Sequence, residues 1–237
     1  MGDKNLNELL KWSIENTAPA DGTSNSTNAP RTNLTPELMA SLMGGPSDAD
    51  LMIASMQAIQ SSDPEITLDS KITAFDNLEQ LIESLDNANL LSKLGLWTPL
   101  LECLAHAEDK IRRMAAWCVG TAVQNNEPCQ ERLVALGGVE KLARMALGER
   151  LPPAAPASDG EENKKGGDET DDVRRKAIYA LSSAVRNYQP AMDVCAAELR
   201  RQGHTDHVGE DGKVIDATNM DAVDAVINGL KAKVPSS

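Results

Sequence analysis

The chain has 237 residues and a formal net charge of −13 at pH 7, a length that suits one domain of about 200 residues with tails. The acidic balance gives no counterion-release term, so nucleic acid is excluded as a partner and anionic membranes are disfavoured. With 3 Trp, 2 Tyr and 1 Phe beside abundant Leu, Ala and Met, helix-on-helix packing is favoured over a β-sandwich or barrel.

No run approaches the roughly 20 apolar residues of a membrane span, and no basic segment with an apolar core opens the chain. The expectation is a cytoplasmic protein that acts as a monomer, without a membrane. In a reducing compartment Cys103, Cys118, Cys129 and Cys195 read as buried structural thiols rather than disulfides. No pair of them has zinc spacing.

In chain order, Leu6, Leu9, Leu10 and Ile14 lie at helical spacing with Trp12 on the flank, which predicts a short amphipathic helix. Residues 17–33 are rich in Ser, Thr, Asn and Pro and read as a flexible tether, so 1–33 form an N-terminal arm. Residues 34–66 predict capping helices. Thr35-Pro36-Glu37 starts one and Gly44-Gly45-Pro46 stops it. A second follows Ser47 with Leu51, Met52, Met56 and Ile59 on one side and ends near Asp63-Pro64.

From Thr67 to residue 237 the pattern is that of repeats. Thr67 caps a helix with Ile72, Phe75, Leu78, Leu81, Ile82 and Leu85 in one stripe, ending in Asp86-Asn87-Ala88-Asn89. Leu90–Leu94 reads as a turn, and Trp97-Thr98-Pro99 opens a helix with Leu100, Leu101 and Leu104 inward. Ile111–Gln124 then forms a second long helix ending in Asn125-Asn126. A short helix over Gln130–Ala135, a Gly137-Gly138 breaker and a helix through Leu142, Met145 and Leu147 follow. Residues 152–172 carry no apolar period and read as a solvated acidic insertion. Val173–Asn187 and a helix from Pro190 to Gln202 come next. A polar loop over 203–220 leads to a last amphipathic helix from Asp221, with Val223, Val226, Ile227 and Leu230 inward.

The organising signal is internal: IRRMAAWCVGTAVQNN at 111–126 returns as VRRKAIYALSSAVRNY at 173–188. A unit that cannot bury its apolar face alone stacks on its copies. Ile111, Ala115, Val119 and Ala122 are read as repeat-to-repeat packing, and Trp117 likewise. Matching the long helices at Asn87 and Asn125 gives a period near 40, typical of armadillo or HEAT units. The fold expected is an all-α, armadillo-like helical repeat solenoid, a right-handed superhelix. Stacking would align Asp86 and Asn87, Gln124 and Asn125, and Arg186 and Asn187 as a ladder. Carboxamides donate and accept at once, which suits a peptide or an irregular protein edge.

No phosphate-binding loop, zinc helix or nucleophile elbow is present, so no enzyme and no cofactor is expected. His204, Asp206 and His207 cluster in a loop, but two histidines and one acid without a supporting shell do not make a metal site.

LNELLKWSIENT, the segment ending in GGP, KITAFDNLEQLIESLDNANLLSKLGLWTPLL and GTAVQNN together resemble the fungal armadillo-type nucleotide exchange factors of heat shock protein 70 chaperones, the HspBP-type family. The resemblance is close over about 5–147, good over 173–200, and fades beyond Gln202. It implies a co-chaperone that binds the chaperone's ATPase domain, promotes ADP release and so substrate release, with the arm helping to clear substrate. By position it implies contacts from Asp86, Asn87, Ala88 and Asn89, from Gln124, Asn125 and Asn126, and from Arg186, Asn187 and Tyr188. Small Ala88 would permit close approach, so a bulky charge there would abolish binding with the fold intact. The alternative is an armadillo adaptor that binds an extended peptide without affecting nucleotide.

Overall fold

The computed structural model of the protein describes residues 46–152, 168–209 and 213–235. The arm helix with Leu6, Leu9, Leu10, Trp12 and Ile14, the tether and the first capping helix lie outside them. The unit that starts at Asp48 opens with α1 (Asp48–Gln60), whose first-turn Asp48 and Asp50 suit the positive helix end. Met52, Met56 and Ile59 are buried there. Leu51 is 38% exposed, contrary to the expected stripe, because adjacent helical positions point about 100° apart.

α2 (Leu68–Ile82) begins where expected: Thr67 Oγ1 accepts the Ser70 backbone N–H at 3.2 Å. It stops earlier than expected. Glu83 ends it, extended Ser84 intervenes, and α3 (Leu85–Lys93) starts at once. Asp86–Asn89 therefore open a new helix, Leu90–Lys93 are helical rather than a turn, and Leu85 is 56% exposed. The apolar period hid the break because Ala88 and Leu91 of α3 continue into the same core as Leu78 and Ile82.

α4 (Trp97–Glu102) runs into a 3-10 turn at Cys103–Ala105, and Leu100, Leu101 and Leu104 are buried. The second unit is α5 (Asp109–Val123), α6 (Glu127–Ala135) and α7 (Gly138–Ala146). α3 and α6 have equal lengths of 9 residues, and each is followed by a left-handed glycine, Gly95 at φ 70° and Gly137 at φ 67°. α8 (Asp171–Val185) and α9 (Gln189–Arg201) form the third unit. α10 (Met220–Ala232) follows, with Asn219 as its cap and Val223, Val226, Ile227 and Leu230 buried.

α2, α5 and α8 are each 15 residues long and stack side by side in that order. α3, α6 and α9 form a second row, and α7 packs against both α8 and α9. This is the armadillo-like solenoid, all-helical among the described residues apart from an isolated bridge between Glu149 and Asp168. Ile111, Ala115, Val119 and Ala122 are at most 1% exposed, and α5 and α8 approach so closely that a Cβ on Gly120 would lie 3.0 Å from Ala180 Cα.

A buried ion pair joins the second unit to the third. Arg112, 3% exposed, donates from Nε to Glu169 Oε2 at 2.7 Å and from Nη2 to Glu169 Oε1 at 2.6 Å. Its Nη1 donates to the carbonyls of His106 and Ala107, both at 2.8 Å. Glu169 is 4% exposed and also accepts the Thr170 N–H at 2.9 Å. The acidic insertion is therefore shorter than its composition suggests: Glu169 is an interior residue, and Asp171 and Asp172 belong to α8. Arg174, its counterpart one unit later, pairs instead with Asp171 of its own helix and reaches Ala146 O at 3.4 Å and Lys233 O at 2.8 Å.

All four cysteines are buried and free. Burial pushes the thiols of Cys103 and Cys129 up to about 11 and that of Cys195 up to about 12, and raises Cys118 well above its ordinary value. The thiolate is the reactive form. The native chain is thus expected to be inert to a thiol reagent at pH 8, with all four sites labelled after denaturation. Glu169→Ala strands the Arg112 charge and should cost about 3–5 kcal/mol in urea unfolding, whereas R112M with E169L should recover most of it.

Candidate partner-binding site

The second and third long helices end in the same turn. Val123 and Val185 close the helices, and Gln124 and Arg186 leave them with extended ψ of 112° and 129°. Asn125 and Asn187 then take positive φ, 51° and 56°. Asparagine tolerates this left-handed region better than other residues with a Cβ. Asn126 and Tyr188 occupy the N-cap positions of the next helices without a side-chain capping bond, each followed by a proline in the first turn, Pro128 or Pro190. Much of the repeated signal is therefore a backbone requirement. It still leaves Gln124, Asn125 and Asn187 exposed and Arg186 and Tyr188 half-buried at adjacent helix ends.

The first unit does not match this turn. Its helix end is Glu83-Ser84, and Asp86–Asn89 lie one step further on, in α3. Asp86 is exposed and Asn89 partly so. Asn87 is only 9% exposed and donates from Nδ2 to Asp48 Oδ2 at 2.8 Å and Leu81 O at 3.0 Å. The expected three-step ladder is thus two equivalent steps with a different polar group beside them.

Ala88 is 1% exposed. It faces α6, whose Cys129 thiol donates to Ala88 O at 3.4 Å. Its counterpart as the fourth residue of the 9-residue helix is Gln130, whose Nε2 reaches the carbonyls of Ser183, Ala184 and Arg186 at 3.1, 3.0 and 3.1 Å. Ser183 and Ala184 lie in the last turn of α8, where carbonyls lack intrahelical partners, and Arg186 follows it. Asn126 is 4% exposed, and its Nδ2 is buried without a hydrogen-bond partner among the described residues. Ala88, Asn87 and Asn126 therefore support the edge from beneath.

The open face of the long-helix row adds residues that sequence reasoning did not select. Thr121 Oγ1 donates to Glu79 Oε1 at 2.7 Å, tying α5 to α2. Trp117, read as core packing, is half-buried and lies 3.6 Å from the Lys176 ammonium, which is also 5.6 Å from the Tyr179 ring. Desolvation, then the Arg113 charge, lowers the Lys176 pKa. Tyr179 hydroxyl donates to Gln124 Oε1 at 3.5 Å, linking this patch to the helix ends. The Trp117–Tyr179 correspondence of the repeat was the available signal. Gly120 gives the Tyr179 ring room to cross: a Cβ there would lie 2.5 Å from the ring.

Away from this face, His204 Nδ1 lies 3.0 Å from Lys233 Nζ and Asp206 Oδ2 lies 3.7 Å from it. A lysine ammonium occupies the place that a cation would take. Among the described residues no group of three or more metal-ligating side chains is assembled, and no helix is long and apolar enough to cross a membrane.

The burial of Ala88 changes what its replacement reports. Ala88→Arg is expected to lower the melting temperature by several degrees as well as the affinity for the partner, since a buried charge must separate α3 from α6. Gly120→Ala should displace Tyr179 and, because the Cβ would also lie 3.0 Å from Ala180 Cα, lower both partner affinity and melting temperature, read by calorimetric titration beside thermal unfolding.

A family model described as nucleotide exchange factor Fes1 matches residues 6–91. A protein of Gibberella zeae named Hsp70 nucleotide exchange factor FES1 is 58% identical over 238 residues, 99% of each chain. One of Neurospora crassa with the corresponding name is 48% identical over 264 residues, 99% of this chain and 100% of that protein. A Yarrowia lipolytica relative of the same name is 37% identical over 188 residues, 78% of this chain but 56% of its own length. The end-to-end match with the first two covers the region beyond Gln202 as well as the repeats, and the chain belongs to the Fes1 family of nucleotide exchange factors.

Proposed function

We propose that the chain is a co-chaperone that binds the ATPase domain of a cytosolic heat shock protein 70, promotes ADP release and thereby substrate release. The observation that carries this is the end-to-end identity with proteins named as Hsp70 exchange factors. The geometry agrees with a binding role: polar groups at two equivalent helix ends, anchored from beneath by Gln130, beside a face bearing Trp117, Lys176 and Tyr179. The contact residues are Asp86, Asn89, Gln124, Asn125, Arg186, Asn187 and Tyr188, with Asn87, Ala88 and Asn126 shaping the surface that carries them.

Exchange needs no catalytic residue. The factor binds the nucleotide-free or opened chaperone more tightly than the ADP-closed form, and by linkage ADP weakens its binding by the same factor. It acts as a monomer in the cytoplasm, without nucleic acid or membrane. The arm, through Leu6, Leu9, Leu10, Trp12 and Ile14, helps to clear substrate from the chaperone.

Stopped-flow release of a fluorescent ADP tests the reading. Acceleration by the full chain is expected, and removal of residues 1–33 should leave exchange in place while slowing substrate release. Arg186→Ala should reduce affinity by about fivefold or more, the ordinary loss at an important interface arginine. Binding of the chaperone without any acceleration would instead favour the adaptor reading.

A further inference from the structure

We infer that Asp224, on the C-terminal helix α10, is a positioning residue that fixes the Arg186 side chain at the partner-binding edge. The inference rests on the role proposed above for Arg186. It adds a part for a segment that lies outside the repeats and reaches Arg186 and its neighbour Asn187.

Arg186 leaves the end of α8, where its own carbonyl is held by Gln130 Nε2 at 3.1 Å. The segment leading into α10 grips the next residue, since Asn187 N donates to Ala217 O at 2.9 Å. The guanidinium is then held on three sides. Nε donates to Ser182 Oγ at 3.3 Å, Nη1 meets Met220 Sδ at 3.3 Å, and Nη2 pairs with Asp224 Oδ1. Of the five N–H groups of an arginine, one on each Nη is left for a partner. The Arg186 side chain is 34% exposed, so those donors can be reached.

α10 does not depend on this pair for its own place. Val223, Val226, Ile227 and Leu230 are each at most 3% exposed, and Asn219 Oδ1 caps the helix by accepting the Ala222 N–H at 3.2 Å. At the far end Arg174 reaches Lys233 O and Arg175 reaches Pro235 O, both at 2.8 Å. The Asp224 side chain is 50% exposed, and such pairs add little to stability. What Asp224 supplies is order: a free arginine must lose rotamer freedom on binding, and this one has already lost it.

The test is calorimetric titration of the full chain against the Hsp70 ATPase domain, with D224A, R186A and the double variant, alongside thermal unfolding. Immobilising one rotamer-rich side chain corresponds to roughly 2- to 12-fold in affinity. D224A is expected to weaken binding within that range at an unchanged melting temperature, D224E to restore part of it, and the D224A effect to vanish in the R186A background. Equal or tighter binding by D224A, or the same loss with Arg186 absent, overturns the inference. Absence of binding by the unsubstituted chain overturns the proposed function instead. A readout without partner separates the two: NMR relaxation at Arg186 Nε should show greater mobility in D224A, and unchanged mobility refutes the positioning role by itself.

Discussion

Arg112 carries its charge into the interior, and the junction between the second and third units is arranged to receive it. A buried guanidinium is tolerated only when its donors are met and its charge is balanced. Here two carbonyls from the turn before α5 and one carboxylate from the start of the third unit do both. Because Glu169 follows the acidic insertion, the pair returns the chain to the stack and sets α8 against α5. Hydrophobic burial supplies the larger free energy, but apolar faces made of Ala, Val and Leu slide easily, whereas a bidentate pair has one geometry.

The same economy operates at the other end of the long helices. Each leaves carbonyls without partners, and in α8 three of the nearby carbonyls are met by a single carboxamide, Gln130, sent from the preceding unit. Satisfying a helix end with a residue of the neighbouring repeat makes the edge rigid where it is polar. A rigid edge has little backbone freedom left to lose on binding, so the remaining ordering cost falls on its side chains. The proposed site is therefore built by the stacking itself, and Arg186 completes it with help from α10.

How much of this could be read without coordinates differs from residue to residue. The 3.6-residue period located the long helices, Thr67 located the start of α2, and the double arginine with its trailing asparagine exposed the repeat. The break at Ser84 escaped because periodicity reports which face is buried and not whether the backbone is continuous. The contact at Ala88 is implied by the resemblance alone, and only the start of α3 shows that its side chain is buried beside α6.

The sequence by itself determined the class of fold, the helices that repeat, the acidic character of the chain, and the family. These follow from local spacing and composition, which each segment carries wherever it lies. Tertiary structure alone decided that Glu169 belongs to the interior, that Asn125 and Asn187 form equivalent turns while Asn87 does not, and that Asp224 meets Arg186. Each of those joins residues distant along the chain, and the energy of a buried charge or an unsatisfied carbonyl depends on what the other repeat places beside it.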